Sequence, residues 1–325
     1  MPEIKKILII RFSSFGDIVL TYPFITQLRK IFPDSQIDFL TKEKFAPLVK
    51  MHKDVNSILE YHGEKTGELK VRIKQNHYDL IIDLHKNIRS FFSTLCIHTE
   101  KIRYQKETLK KLLLVALKLN LIKSISSVYK RYLIALDKIQ IPDNFDFTST
   151  DLDFNREPIE KGAYIIIVPS SKHFTKTLPK EKFEKIINGL KDKKIVLVGD
   201  KSDEDMNICN YLSEKSENIM NYCGKSDFNT LANLIYNSEL VLCNDSGVLH
   251  LAEALDKKVI VFFGSTVKEF GFYPQLKSTI VFENNNLKCR PCTHIGKSYC
   301  PKKHFKCMND LNIKDVLNKI YENIS

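Results

Sequence analysis

The sequence predicts an α/β protein in which two similar halves each form a parallel β-sheet covered by helices. Short apolar runs of strand length alternate along the chain with longer segments whose apolar residues recur at helical spacing. Such alternation is typical of parallel sheets with both faces covered. The chain has 325 residues, which is more than one hydrophobic core usually serves, so two domains are expected.

The first half opens with an apolar run that predicts a buried strand at 5–10, followed by a glycine-containing turn at 11–17. This turn is neither a GxGxxG loop nor a loop ending in GK[ST], which disfavours two common nucleotide-binding folds. Pro23 lies inside the next helical pattern, so that helix is expected to start or bend there. Further strands are predicted at 36–40, 57–61 and 79–84, and further helices at 42–51, 64–76, 108–122 and 126–140.

A polar, acidic stretch at 141–158 predicts a linker, after which a second alternating series begins. Its strands are expected at 163–168, 194–198, 219–222, 240–243 and 259–263, and its helices at 180–190, 203–213, 228–237, from 247 onward and at 312–324. The expected domains are therefore 1–145 and 161–325, with a linker at 146–160.

The stretch LVLCNDSGVLHLAEA at 240–254 reads as a strand, a tight turn and the opening of a helix. A helix start presents unpaired N–H groups and the positive end of the helix dipole, which suits a phosphate or diphosphate. Ser246 adds a hydroxyl, Gly247 permits close approach, and His250 follows one turn into the helix. The alternative is that Asp245 only caps the helix and His250 is a satisfied buried histidine.

Other candidate residues also follow predicted strands. Lys172 and Lys176, in the loop at 169–179, are expected either to neutralise a diphosphate or to be solvated. Asp17 follows the first strand, and its alternative role is a helix cap. Asp83, His85 and Arg89 follow the strand at 79–84 and would line the same crevice as Asp17, although each alone also fits a surface or capping residue.

Composition indicates a globular protein with an uneven charge. The hydrophobic content is 43%, and the first apolar run is too short for a signal peptide, so a cytosolic location with reduced cysteines is expected. Residues 101–131 contain nine Lys or Arg and one acid. This segment is interpreted either as packed helices with solvated lysines or as a contact with an anionic membrane or acceptor. Nucleic acid ranks lower because the segment has few aromatic residues to stack bases.

Three motifs in this order resemble glycosyltransferase family 9, the ADP-heptose:lipopolysaccharide heptosyltransferases. They are RFSSFGD near the N-terminus, the KTLP loop at 176–179, and CNDSGVLHLAEAL followed by VIVFFGST. The match extends over essentially the whole chain. It implies the GT-B fold, with two Rossmann-like doubly wound domains and an interdomain cleft. It also implies inverting, metal-independent transfer of a heptose or related sugar from an ADP-activated donor to the lipopolysaccharide core.

The resemblance assigns roles to individual residues. Asp17 matches the family's general base, and Ser14 and Gly16 match its phosphate-side loop. Five other residues match the family's donor-binding residues: Lys176, Asp245, Ser246, Gly247 and His250. Asp83, with His85 and Arg89, lies where the family has acceptor-side residues.

The partners implied by the resemblance are an ADP-sugar and a lipid A/core oligosaccharide, with no cofactor and no nucleic acid. The implied location is cytoplasmic, peripheral to the inner face of the inner membrane. This sequence departs from the family at Leu178, where tryptophan is common, and at 83–87, so the acceptor and the donor sugar stay open.

The tail carries four cysteines in the pattern C-x2-C-x7-C-x6-C: Cys289, Cys292, Cys300 and Cys307. One half of this pattern has zinc-ligand spacing. A structural zinc site, buried thiols and a redox pair are the alternatives.

Two other functions remain as alternatives. One is a different nucleotide-sugar enzyme on the same fold, such as an enzyme with another donor or an epimerase. The other is a non-enzymatic protein that binds an anionic surface or nucleic acid.

Overall fold

The computed structural model describes residues 4–122, 127–135 and 150–324. The chain divides into two compact units, Met1–Glu107 with Ser126–Asp153 and Thr108–Ile125 with Phe154–Ser325. Thr108–Ile125 thus belongs by its contacts to the second unit, although it interrupts the first in sequence. The predicted linker at 146–160 lies partly outside the described residues, and the predicted domain limits stay a prediction.

The first unit contains a five-stranded parallel sheet. Its strands are β1 (Lys6–Ile10), β2 (Gln36–Lys42), β3 (Ser57–Tyr61), β4 (Leu80–Asp83) and β5 (Glu100–Arg103). They lie in the order β3-β2-β1-β4-β5, and Ile10 at the end of β1 pairs with both Leu40 and Asp83. The order reverses beside β1, so the loops after β1 and β4 leave the same edge of the sheet side by side.

Up to residue 135, the helices of the described chain cover both short and longer segments. They are α1 (Phe15–Val19), α2 (Tyr22–Ile31), α3 (Ala46–Lys50), α4 (Thr66–Gln75), α5 (Ile88–Thr94), α6 (Thr108–Leu117) and α7 (Val128–Ile134). All but α6 lie in the first unit.

Several predicted helices differ from those observed. Pro23 marks the start of α2, so the predicted helix is two helices separated by a turn at Leu20–Thr21. The helix predicted at 42–51 begins with a 3-10 turn before α3. The helix predicted at 108–122 ends at Leu117, because Lys118 adopts a left-handed backbone with φ of 57°. Of the helix predicted at 126–140, residues 126 and 136–140 lie outside the described residues.

The second unit contains a six-stranded parallel sheet in the order β11-β10-β9-β6-β7-β8. Its strands are β6 (Ile165–Val168), β7 (Ile195–Leu197), β8 (Ile219–Asn221), β9 (Leu240–Asn244), β10 (Val259–Phe263) and β11 (Ile280–Glu283). Its later helices are α8 (Lys180–Asn188), α9 (Asp203–Ser213), α10 (Phe228–Asn237), α11 (Gly247–Ala254), α12 (Lys306–Asn309) and α13 (Ile313–Tyr321). The order reverses between β6 and β9, which places the loops after these two strands together.

The burial of the strands explains why most of them could be predicted from the sequence pattern. Every residue of β4, β6, β9 and β10 is buried, as expected for central strands covered on both faces. The edge strands β5 and β11 were not predicted, because they are mostly half-buried and carry charged residues. Two parallel, helix-covered sheets confirm the predicted α/β class. Within the described ranges, no helix combines the length and apolar character needed to cross a bilayer.

Candidate active site

Asp17 lies in the first turn of α1, directly after β1. Its Oδ2 accepts hydrogen bonds from the Ser14 hydroxyl at 2.7 Å and from the Ser14 backbone N–H at 3.2 Å. Ser14 is the residue that caps α1, so Asp17 does take part in capping the helix, as the alternative interpretation expected. Gly16 lies beside it in the same turn. The carboxylate is nevertheless partly accessible, with 19% of the side chain exposed.

Arg11 holds the other oxygen of the Asp17 carboxylate. Arg11 Nη2 lies 2.7 Å from Asp17 Oδ1, and Arg11 Nη1 donates to the Leu84 carbonyl at 2.7 Å. The guanidinium is buried and lies over the ring of Tyr132. Burial opposes ionisation of Asp17, but the Arg11 charge and the Ser14 hydrogen bonds outweigh it and hold the pKa of Asp17 below its usual value. Asp17 is therefore ionised at neutral pH.

Asp83 is buried at the end of β4 and organises the turn that follows. Its Oδ1 accepts the backbone N–H groups of His85 at 3.0 Å and Lys86 at 2.7 Å, and its Oδ2 accepts the Ser90 hydroxyl at 2.7 Å. These bonds support the left-handed backbone of Lys86, which has φ of 45°. The Asp83 carboxylate thus shapes the loop that presents His85 and Arg89.

His85 and Arg89 lie beside the aromatic residues of the first unit. The Arg89 guanidinium lies 4.8 Å from the ring centre of Tyr61, and the His85 ring meets Phe12 edge to face. Burial, with the positive charges of Arg11 and Lys106, lowers the pKa of His85 to about 3, so His85 is neutral at physiological pH. The loops after β1 and β4 thereby place one anionic, one cationic and one neutral polar side chain at the same sheet edge.

In the second unit, Lys176 and Asp245 form an ion pair across the two loops at the reversal of strand order. Lys176 Nζ lies 2.8 Å from Asp245 Oδ2, which also accepts the Thr266 hydroxyl at 2.6 Å. Asp245 is almost fully buried, so this carboxylate holds protein groups in place. An ammonium has three donors, so Lys176 retains donors for a ligand beyond the one that faces Asp245.

Helix α11 begins beside this pair. Ser246 caps the helix with an extended backbone, and Gly247 is its first residue. The Ser246 hydroxyl is buried and has no hydrogen-bond partner among the described residues. His250 is also buried, one turn into the helix, with its ring near that of Phe272. A lysine, an unpartnered hydroxyl and a helix N-terminus thus converge in a way that suits a phosphate.

Three further residues build these sites and were not among the predicted site residues. Arg11 was predicted only as part of the turn at 11–17. Asn244 ties the two loops together: its Oδ1 accepts the Leu178 N–H at 2.9 Å, and its Nδ2 donates to the Ser170 carbonyl at 3.2 Å. Thr266 orients Asp245. A polar residue at the last position of a buried strand, or directly after it, is the signal that marks Asn244 and Arg11 in retrospect.

The loops after β6 and β10 approach closely. A Cβ on Gly264 would lie 2.4 Å from the Thr175 carbonyl oxygen, so glycine is needed there. The Ser265 N–H donates to the same carbonyl at 3.1 Å. This contact holds the loop that carries Lys176 next to the loop that carries Thr266.

The four tail cysteines carry thiols and line one small cavity in the second unit. Among the described residues, only Glu43, Glu60 and His62 bring three potential metal-ligand atoms within 4.8 Å of one another. Those three side chains are exposed or half-buried and belong to the first unit, whereas the tail belongs to the second.

The comparisons with known proteins agree on one family. The family model described as glycosyltransferase family 9 (heptosyltransferase) matches residues 66–303. Lipopolysaccharide heptosyltransferase 3 of Escherichia coli (strain K12) is 24% identical over 314 residues, which cover 86% of this chain and 88% of that protein. Lipooligosaccharide heptosyltransferase 2 of Haemophilus ducreyi is 26% identical over 291 residues, which cover 80% of this chain and 84% of that protein.

Solved structures show the same fold. E. coli ADP-heptose LPS heptosyltransferase II superposes with a TM-score of 0.72 at 17% identity, covering 98% of this chain and 99% of that chain. E. coli heptosyltransferase WaaC with ADP-2-deoxy-2-fluoro heptose gives a TM-score of 0.70 at 19% identity, with the same coverage. These likenesses and the two parallel sheets confirm the GT-B fold. With more than half of its length matched by the family model, the chain belongs to glycosyltransferase family 9, the heptosyltransferase family, and is a glycosyltransferase.

Proposed function

We propose that this glycosyltransferase moves a heptose from an ADP-activated donor to a lipopolysaccharide core acceptor. The names of the curated relatives and the ADP-sugar in the WaaC structure support this donor and acceptor. The observation that carries the proposal is the Lys176–Asp245 ion pair beside the N-terminus of α11. At that N-terminus, the Ser246 hydroxyl is buried and has no hydrogen-bond partner among the described residues. That combination suits a diphosphate.

In this proposal the donor diphosphate lies against Lys176, Ser246 and Gly247. Asp245 does not contact the phosphates, because two anions would repel; it positions Lys176 and Thr266 instead. His250 is proposed to take part in binding the donor from the same helix. No catalytic metal is included in the mechanism, since the ammonium and the helix N-terminus neutralise the departing ADP.

Asp17 is proposed as the general base, with inversion at the anomeric carbon. The acceptor hydroxyl attacks that carbon as the bond to the ADP oxygen breaks, and the hydroxyl proton passes to the Asp17 carboxylate. The lowered pKa keeps Asp17 ionised at neutral pH. The hydroxyl oxygen becomes strongly acidic as it bonds to the oxocarbenium-like carbon, so a weak base can accept its proton. Ser14 and Arg11 hold the carboxylate in one orientation.

The acceptor side is proposed to involve the loop after β4. Asp83 fixes this loop, while Arg89 and His85 supply one positive charge and one neutral polar ring. A guanidinium held over Tyr61 is well suited to an anionic sugar or a phosphate on a lipid-linked core.

We also propose peripheral contact with the inner face of the inner membrane through α6. Two lysines of the basic segment bond within the protein: Lys111 donates to the Phe270 carbonyl at 2.9 Å and Lys118 to the Cys289 carbonyl at 3.1 Å. Five leucines of this region are exposed, including Leu109 at 71% and Leu117 at 68%, beside exposed lysines such as Lys110. Apolar side chains of this kind favour the interfacial region of a bilayer.

The test is turnover with defined substrates. The purified protein is incubated with ADP-heptose and a truncated lipopolysaccharide core, and ADP release, product mass and the anomeric configuration of the product are measured. We expect one ADP per transferred sugar and inversion, with added Mg²⁺ or Mn²⁺ leaving the rate unchanged.

A nucleotide panel separates the alternatives. ADP at about 100 times its dissociation constant should add roughly 2.7 kcal/mol of apparent stability. A thermal shift with UDP or GDP but not with ADP would show that the donor carries a different nucleotide. ADP-sugar turnover without an acceptor would favour an epimerase, and salt-sensitive nucleic-acid binding without any nucleotide shift would favour a binding protein.

A further inference from the structure

The cysteine-rich part of the tail is held in place without regular structure. From Asn284 to Phe305 the described chain forms no helix and no strand. Yet Cys289, Cys292 and Cys300 are half-buried and Cys307 is buried. A long irregular segment packed against a core usually needs a covalent or metal cross-link to offset its conformational entropy.

The four tail cysteines line the same small cavity. Cys289, Cys292, Cys300 and Cys307 all line a cavity of about 10 Å³, together with Arg290 and His304. A space of this size holds a single water-sized particle. Four cysteine thiolates form a soft ligand set, which selects zinc or iron over magnesium or calcium.

The hydrogen bonds of His304 indicate that it is not one of the ligands. His304 Nδ1 accepts the Lys306 backbone N–H at 3.0 Å, so in the neutral ring the proton is on Nε2. Nε2 lies 3.9 Å from Cys289 Sγ. The ring therefore donates toward the sulfur, as residues around a metal-bound thiolate commonly do.

We propose that Cys289, Cys292, Cys300 and Cys307 bind one Zn²⁺ ion as a structural tetrathiolate site. Zn–S bonds of about 2.3 Å in a tetrahedron place the sulfurs about 3.8 Å apart. The four thiols are farther apart than this, since no three of them lie within 4.8 Å of one another. Binding therefore requires the thiols to turn toward the cavity, and it releases their four protons to solvent.

Positive charge around the cavity favours this site. A divalent ion with four thiolates carries a net charge of −2. Arg290 and Lys302 line the same cavity, and Lys118 donates to the backbone carbonyls of Cys289 and Pro291. These cations stabilise a dianionic centre in a partly buried place.

The segment that the metal would fix lies directly against the loops of the proposed donor site. The Cys292 N–H donates to the Ser265 carbonyl at 3.3 Å, and Arg290 Nη2 donates to the Thr266 carbonyl at 2.7 Å. On the other loop, the Lys297 N–H donates to the Thr175 hydroxyl at 2.9 Å. The ion thus stabilises the residues that flank Lys176 and orient Asp245; this consequence rests on the proposed function, whereas the metal site does not.

The experiment measures metal content by inductively coupled plasma mass spectrometry in the full-length chain, purified without chelators. We expect about one zinc per chain in the wild type and in Cys96→Ser, whose exposed thiol lies in the first unit. Cys292→Ser and Cys300→Ser should lose the zinc and show a lower Tm. Less than about a tenth of an equivalent in the wild type, or iron in its place, would overturn the proposal.

A second measurement does not depend on whether the variants fold. Metal-depleted wild-type protein is titrated with Co²⁺ under anaerobic conditions. The proposal expects the intense d–d and thiolate charge-transfer bands of a tetrahedral Co–S4 centre, saturating at one equivalent and displaced by Zn²⁺. Octahedral spectra, or disulfide-linked tail peptides in the untreated protein, would overturn it. Weaker ADP binding in the depleted protein would support the effect on the donor loops, and unchanged binding would remove that consequence while leaving the metal site.

Discussion

At the scale of single residues, the proposed mechanism depends most on Asp17. Asp17→Asn keeps the shape and one hydrogen-bond acceptor for Ser14 but removes the proton-accepting charge. We expect kcat to fall by about 10²–10⁴-fold with ADP affinity close to wild type. The Tm should fall as well, because the buried Arg11 charge loses its ion-pair partner. The measurements are steady-state rates and a thermal shift with ADP. A large loss of Tm with retained specific activity would instead show that Asp17 serves mainly to cap α1.

Arg11 controls the pH range in which Asp17 is ionised. Because the Arg11 charge lowers the pKa of Asp17, displacing that charge lets the pKa rise. A base must be ionised to act, so the acid limb of the kcat/KM profile should move to higher pH. Arg11→Lys keeps the charge at a longer distance and should move the limb slightly; Arg11→Met should move it further. Coinciding profiles for the wild type and both variants would contradict this role.

Lys176 offers a matched comparison within one loop. Lys176→Ala removes the ammonium that Asp245 positions, whereas Lys172→Ala removes an exposed lysine four residues earlier. A hydrogen bond to a charged group is worth about 1.5–3 kcal/mol, so Lys176→Ala should weaken ADP binding by roughly 10–100-fold. Isothermal titration with ADP measures this. Equal effects of the two variants would indicate nonspecific charge attraction.

At the scale of elements, Glu253 connects α11 to the loop before β11. Its side chain is fully buried, and its Oε1 accepts the N–H groups of Gln275 and Leu276 and the Thr279 hydroxyl, each at 2.9 Å. Burial raises the pKa of Glu253 to about 7 despite these bonds. The helix that carries His250 is thus held by a carboxyl group that is half protonated near neutral pH.

This pKa predicts a pH dependence with a definite sign. The folded state holds the Glu253 proton more tightly than the unfolded state, so the associated stability is complete below pH 4.5 and is lost as the pH rises through about 7. Glu253→Gln keeps the three bonds and does not titrate. From pH 5 to 8 the wild type should lose stability relative to this variant, by on the order of 3 kcal/mol at most. Urea unfolding at both pH values measures it; a constant difference would contradict the raised pKa.

At the scale of the whole molecule, the units do not follow the order of the sequence. Helix α6 belongs to the second unit, where Leu114 and Ile122 pack with Phe270 and Lys111 bonds to the Phe270 carbonyl. A fragment of residues 154–325 would expose Phe270, which is otherwise 1% accessible. We therefore expect this fragment to have a low Tm that rises on addition of a peptide of residues 108–122.

The control for this experiment is the same peptide with Leu114→Asp, which places a charge in the buried contact. It should leave the Tm of the fragment unchanged. Equal stabilisation by both peptides, or a fragment as stable as the intact chain, would show that α6 contributes little to the second unit. Circular dichroism melts are sufficient to decide.

Most of the fold could be predicted from the sequence because its central strands are buried on both faces. Runs such as Ile7–Ile10 and Val259–Phe263 have no polar interruption, and the helices between them repeat at 3.6 residues. Edge strands such as Glu100–Arg103 lacked this signal, since one side of the strand has no neighbour and tolerates charge. The candidate site residues were found for a related reason: they follow buried strands in short turns with glycine, serine or aspartate.

The sequence by itself determined the two-sheet α/β architecture and the positions of the motifs, since both depend on local periodicity and turn chemistry. Only the tertiary structure decided which groups meet: Arg11 with Asp17, Lys176 and Thr266 with Asp245, and α6 with the second unit. Arg11 and Asp17 lie in one turn, but the other contacts join segments far apart in the chain or depend on strand order. Strand order is set by the packing of whole elements against one another, and no local pattern of residues encodes it.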